Sequence, residues 1–307
     1  MKTEQEIAQH LITAKSFQVF THKDLDGAVS LLTFLWANPT ATVTYREVTN
    51  MQLDIMNDYV LKTCNPPSIV VMDMSLRQEF LKNLDYDYVY FIDHHKGSED
   101  YVKKFKQANI VYKETSSNAL LTRKLLKDFS PELSDNQKKL ILLADDFDCN
   151  KLQHKESYDL NILFWSQFKN DFCYFTNYYK DGFKPFSDKQ KEIIQHVKED
   201  AKQTFKNTNC FGGDLILEGF SHKVVAAITD TYNNVVIDML MSKYQPDILL
   251  YINTKSEKVS MRQKPRDNPI NLAAFAEKYC EGSGHVYAAG GRITLFFMEL
   301  TKKLKPL

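Results

Sequence analysis

"THKDLDGAVS", residues 21–30, lies between the apolar run "FQVF" at 17–20 and the helix-like "LLTFLWA" at 31–37. It crowds His22, Asp24 and Asp26 into five positions. A short β-branched and aromatic run that stops at polar groups, followed by apolar residues at helical spacing, predicts a strand handing over to a helix. The same handover recurs through the first half of the chain. Strand-like runs are "FQVFTH" (17–22), "ATVTYREV" (41–48), "SIVVMDMS" (68–75), "YDYVYFIDHH" (86–95) and "NIVYKETS" (109–116). Helical patterns lie among them or follow them: "AVSLLTFLWA" (28–37), "RQEFLKNL" (77–84) and "SNALLTRKLLKDF" (117–129), the last with Ser117 or Asn118 as N-cap. This rhythm predicts an α/β architecture whose N-terminal sheet is largely parallel and flanked by helices. Ligands of such sheets gather beyond the C-terminal strand ends.

The amphipathic stretch "KQKEIIQHVKEDAKQTFKN" (189–207) predicts a helical connection over 186–212. The first domain is then 1–185. After the connection come "DLILEG", "KVVAAITD", the helix-like "NVVIDMLMSKY", "DILLYINT" and "KVSMRQK", then another helix and a glycine cluster at 282–291. This predicts a smaller α/β domain over 213–307.

Composition narrows the class. Hydrophobic residues make up 43% of the 307 positions and charged residues 25%, which suits a folded chain rather than a disordered one. Lys plus Arg equal Asp plus Glu at 39 each, so no global positive field exists to hold long nucleic acid. The five cysteines form no C-x-x-C pair, which argues against a disulfide framework and a thiolate zinc site and for a reducing cytoplasm. No apolar run approaches membrane-spanning length, so a soluble protein without membrane contact is expected.

Acidic and histidine groups cluster after several elements: His22, Asp24 and Asp26; Asp73; Asp93, His94 and His95; and Asp145, Asp146 and Asp148 after the helical "KKLILLA". Each alone has a plain reading, Asp73 as a helix cap and "DDFD" as a solvated turn. Together they differ. Three ionisable groups directly after a buried strand incur desolvation unless partnered, and a pair of hard divalent cations supplies the partner. Mixed carboxylate and imidazole ligands without thiolates favour manganese, with magnesium or cobalt as substitutes.

The ordered set "HKDLDG", "VVMDMS", "DHHK" and "LADDFD" resembles the four motifs of the DHH phosphoesterase family, whose branches include nanoRNase and RecJ-type enzymes. "GSGHVYAAGG" (282–291) resembles the glycine-rich signature of that family's associated substrate-binding domain, and "KVSMRQK" the strand before it. The resemblance implies that His22 and Asp24 bind one metal, that Asp26, His94 and Asp146 bind the other, and that Asp73 bridges them. Asp146 is preferred to Asp145 because related proteins carry a D-Y-D segment there, matched by 146–148. His95 would face the scissile phosphate, with Asp93 fixing its tautomer. Arg262, Gly282, Ser283, Gly284 and His285 would bind substrate, and Ser116 would add a donor at a helix N-terminus. Ser283 stands where the family has glycine, so that position is strained if it needs a positive φ.

The implied activity is manganese-dependent hydrolysis of short oligonucleotides or small nucleotides by two-metal-activated water in an interdomain cleft. Two enzyme alternatives are a phosphatase of 3′-phosphorylated adenosine nucleotides and a cyclic-dinucleotide phosphodiesterase. A non-catalytic nucleotide-binding module is the alternative from another class.

Overall fold

The computed structural model describes all residues except 1, 49–54, 57–58, 60–66, 77, 115, 150, 218, 231–233, 265–268 and 285. The chain divides into two compact units, Met1–Ile194 and Gln195–Leu307.

In the first unit, helix α1 (Glu4–Thr13) opens on a capping box between Thr3 and Glu6 and leads into β1 (Ser16–His22). Helix α2 (Leu25–Ala37), β2 (Thr42–Val48), β3 (Ser68–Met72), α3 (Gln78–Asn83) and β4 (Val89–Asp93) follow. A 3-10 turn (Lys96–Ser98), α4 (Glu99–Val102) and β5 (Asn109–Tyr112) complete the alternation. The five strands form one sheet in the order β2-β1-β3-β4-β5, and every pairing is parallel. The sequence runs explain this: β3 and β4 are nearly continuous apolar runs, which a sheet covered on both faces requires. One face packs Phe20, Ile69, Val71, Val89 and Phe91 into a core with Phe80 and Phe105.

Four helices follow the sheet: α5 (Asn118–Leu126), α6 (Asp135–Asp148), α7 (Lys155–Ser166) and α8 (Phe172–Tyr178). The division between the units falls within α9 (Asp188–Asn207).

The second unit holds a seven-stranded mixed sheet in the order β10-β11-β9-β8-β7-β6-β12. Its strands are β6 (Asn209–Leu217), β7 (Phe220–Thr229), β8 (Ile248–Asn253), β9 (Lys258–Gln263), β10 (Ser283–Gly284), β11 (Ala288–Arg292) and β12 (Lys305–Pro306). The pairing of β7 with β8, which α10 (Asn234–Tyr244) connects, is parallel, and the others are antiparallel. Helices α11 (Leu272–Cys280) and α12 (Leu295–Thr301) contribute Phe275 and Phe297 to one core, and α10 contributes Leu240 to the other. Among the described residues, no helix is long and apolar enough to cross a membrane.

Candidate metal centre

The first motif is shaped by a close approach. A Cβ at Gly27 would lie 2.0 Å from the His22 carbonyl oxygen, so only glycine lets α2 start directly behind the end of β1. Asp24 caps α2 by accepting from the Gly27 amide (2.9 Å) and pairs with His22 Nδ1 (2.6 Å). Two residues on, Asp26 is buried, and both its oxygens are held by the first amides of α5, those of Asn118 (2.7 Å) and Ala119 (3.0 Å). Such an N-terminus favours a negative group, here a side chain of the same chain.

Asp73 follows β3 with φ 58, a left-handed backbone that a non-glycine residue rarely adopts. It is 2% exposed, and His94 Nε2 lies 3.1 Å from its Oδ1. His94 Nε2 is also 3.7 Å from Asp26 and 3.7 Å from Asp148. Among the described residues, three groups have ligand atoms within 4.8 Å of one another: His22, Asp24 and Asp73; Asp26, His94 and Asp148; and Asp73, His94 and His95. Asp73 belongs to two of them, and so does His94.

The fourth motif is the last turn of a helix, and its three aspartates part company. Residues 146 and 148 are separated by about 200° around an α-helix, so they point to nearly opposite sides. Asp148 joins the cluster. Asp146 instead accepts from the amides of Gln153 (2.8 Å) and His154 (3.0 Å) and from the Ser157 hydroxyl (2.6 Å), tying down the start of α7. Asp145 accepts from the Ser117 amide (2.9 Å) and Lys151 (2.5 Å). Asp148 therefore stands beside His94 where Asp146 was expected. Helical periodicity in "KKLILLADDFD" carries that signal, and the D-x-D spacing does not.

The electrostatics are those of a site short of positive charge. Burial, with Asp24 and Asp26 close by, pushes Asp73 well above the usual carboxylate range. Burial and the neighbouring Asp148 push Asp26 up to about 8. Burial also raises Asp148, against the pull of His94. Burial disfavours a charge on His94, but Asp148, Asp73 and Asp26 outweigh it and hold the imidazole well above its ordinary value. Asp24 is lowered, since His22 overcomes its burial, and His22 is raised in return. Oδ2 of Asp73 and Oδ2 of Asp148 are buried without a hydrogen-bond partner among the described residues. Buried oxygens of this kind are normally satisfied, and hard cations are the partners that acidic clusters take. These residues fit a divalent cation.

Asp93, at the end of β4, accepts from His95 Nδ1 (2.7 Å) and from the Ser98 hydroxyl. Burial opposes its charge, yet His95 beside it keeps Asp93 below the usual range. Ser117 is the N-cap of α5, its hydroxyl accepting from the Leu120 amide (3.3 Å). Ser116 is buried, and its hydroxyl has no hydrogen-bond partner among the described residues. The first amides of α5 already hold Asp26.

In the second unit, Arg262 sits on β9 between Leu249 and Ala288, and its Nη1 donates to the Met261 carbonyl (3.0 Å). A Cβ at Gly282 would lie 2.0 Å from the Gly290 carbonyl oxygen, and Gly284 has φ 148. Ser283 pairs with Gly290 in extended conformation, which any residue adopts, so the departure from glycine introduces no backbone strain there. His285 lies outside the described residues. Sequence reasoning passed over Gln263, whose buried side-chain amide donates to the carbonyls of Ile270 and of Val286 (2.6 Å), fixing the approach to the glycine motif.

No family model matches the sequence, and no curated protein sequence does. Solved structures do. The DHH domain of a member of a ribosomal-protein family is similar over 98% of this chain and 89% of its own, with TM-score 0.60 and 15% identity. RecJ from Thermus thermophilus in complex with Mn2+ matches 99% of this chain and 55% of its own, with TM-score 0.57 and 10% identity. A pGpG-specific phosphodiesterase from Vibrio cholerae matches 94% of this chain and 96% of its own, with TM-score 0.54 and 12% identity. With these likenesses beside its parallel five-stranded sheet, the chain shares the fold of these structures, a DHH domain among them.

Proposed function

We propose that the protein is a phosphoesterase that hydrolyses short oligonucleotides or small nucleotides with a pair of divalent cations, manganese first among them. The observation that carries this reading is the pair of buried carboxylate oxygens of Asp73 and Asp148 that accept no hydrogen bond among the described residues, within one cluster of acids and imidazoles. His22, Asp24 and Asp73 would hold one cation, and Asp26, His94 and Asp148 the other, with Asp73 shared. When bound, such cations acidify water and offset charge on phosphate oxygens.

The chain's own residues prepare the rest. The amides of α5 orient Asp26, and the Asp24–His22 contact orients both partners. Asp93 holds the His95 proton on Nδ1, which makes Nε2 the nitrogen that carries the lone pair. His95 presents Nε2 to the scissile phosphate, donating to an oxygen when protonated. Arg262, the glycine motif at 282–284 and His285 bind a phosphate that is not cleaved, with Gln263 steadying that motif.

Short substrates suit a chain of zero formal net charge. A neighbour that acts on pGpG, a two-nucleotide substrate, and that covers almost the whole chain supports the same choice. The test is turnover with manganese, magnesium or cobalt on labelled oligonucleotides of graded length, beginning at the dinucleotide. Cleavage fastest on the shortest substrates is expected. Tight nucleotide binding without turnover under any cation would instead identify a binding module.

A further inference from the structure

Ser98 is fully buried, at the junction between the 3-10 turn and α4. Serine at a helix N-cap usually accepts from a backbone amide one turn on. Here the N-cap position is occupied but no side-chain cap bond is made. The hydroxyl is used elsewhere. It accepts from the Leu76 amide (2.7 Å), three residues after Asp73, and donates to Asp93 Oδ2, while Asp93 Oδ1 accepts from His95 Nδ1 (2.7 Å). One chain of hydrogen bonds therefore joins the loop that starts at Asp73 to His95. Both Asp93 oxygens are occupied.

We infer that Ser98 is a positioning residue that locks Asp93, and through it the Nδ1–H tautomer and ring orientation of His95, to the loop carrying Asp73. The inference rests on the reading of His95 as the group that meets the phosphate. The physical reason is that a carboxylate held at one oxygen can rotate about its terminal torsion, and a rotated Asp93 would leave His95 free to exchange tautomers. A donor on the second oxygen removes that freedom. Leu76 supplies the donor's own anchor, so the hydroxyl proton is directed at Asp93 and nowhere else.

The test reads the imidazole directly. In protein freed of metal with a chelator, labelled with 15N-histidine and recorded at a pH where the His95 ring carries a single proton, that proton is expected on Nδ1. In Ser98→Ala the two nitrogen signals should move toward averaged values. With manganese restored, kcat on a dinucleotide should fall by roughly 10–100-fold, the range typical of outer partners, with KM and bound metal unchanged. Ser98→Thr, which keeps the hydroxyl, should restore both the signals and kcat. A wild-type protein with the proton on Nε2 would overturn the inference without any variant being made. So would a Ser98→Ala protein that keeps the Nδ1–H signals. Absence of turnover in the wild type, with the tautomer pattern as expected, would instead count against the proposed function and leave the Ser98 brace standing.

Discussion

In the first unit Asp26, Asp73 and His94 are buried beside the half-buried Asp148, whereas in the second Gly282, Gly284 and Gly291 bring backbone against backbone. The former arrangement stores unfavourable charge; a Cβ at Gly291 would lie 2.4 Å from the Cys280 carbonyl oxygen, so the latter stores only steric fit. The contrast teaches where substitutions should act. Changing a charge in the first unit should remove function and spare the fold, while adding one carbon in the second should damage the fold first.

The largest effect is expected at Asp73. Asp73→Asn should lower turnover by about 10²–10³-fold or more, since an amide oxygen is a poor anchor for cationic charge. Because burial already pushes this carboxyl toward its neutral form, the metal-free variant should melt no lower than metal-free wild type. A marked fall in melting temperature would show that the charge is structural.

Next comes the pair at the end of α6. Asp148→Asn, which removes a proposed ligand, should weaken manganese binding by more than the roughly 10–100-fold that loss of an outer partner costs, with little change in stability. Asp146→Ala should leave manganese binding unchanged and lower stability by about 0.5–2 kcal/mol, through the lost amides before α7. Metal titration and urea melts on both would expose the reverse pattern. Gly282→Ala, in the other unit, should lower stability by about 1–3 kcal/mol and leave manganese affinity alone, because the added Cβ meets the Gly290 carbonyl.

The smallest effect is one of pH. Asp26 is raised to about 8 and His94 is also raised, so the folded metal-free protein binds more protons than the unfolded chain between about pH 4 and 8. Their contribution is therefore present in acid and lost as pH rises through that window. Melting temperature of metal-free protein should fall from about pH 5.5 to about pH 8.5, and saturating manganese should abolish or reverse the trend because its binding displaces the protons. The same slope with and without manganese would mean that other groups govern it.

Much of the centre was legible because strand and motif coincide. The β-branched runs ending at His22, Met72 and Asp93 are one-dimensional signals, and each delivers its polar residue to the C-terminal end of the sheet. Asp148 was harder, because choosing among three aspartates requires the face of a helix, and a spacing of two residues reverses that face. Ser98 and Gln263 were not legible. Beside nearer contacts to Asp93 and Ile270, each joins a distant group, Leu76 and Val286, 22 and 23 residues away, and no local pattern encodes such a contact.

The most direct measurement is anomalous diffraction from crystals grown with manganese. The account predicts two manganese peaks, about 3.5–4 Å apart as in two-metal sites, one touching His22, Asp24 and Asp73 and the other Asp26, His94, Asp148 and Asp73. A centre without manganese at saturating concentration, or one in which Asp146 rather than Asp148 is the ligand, would contradict it.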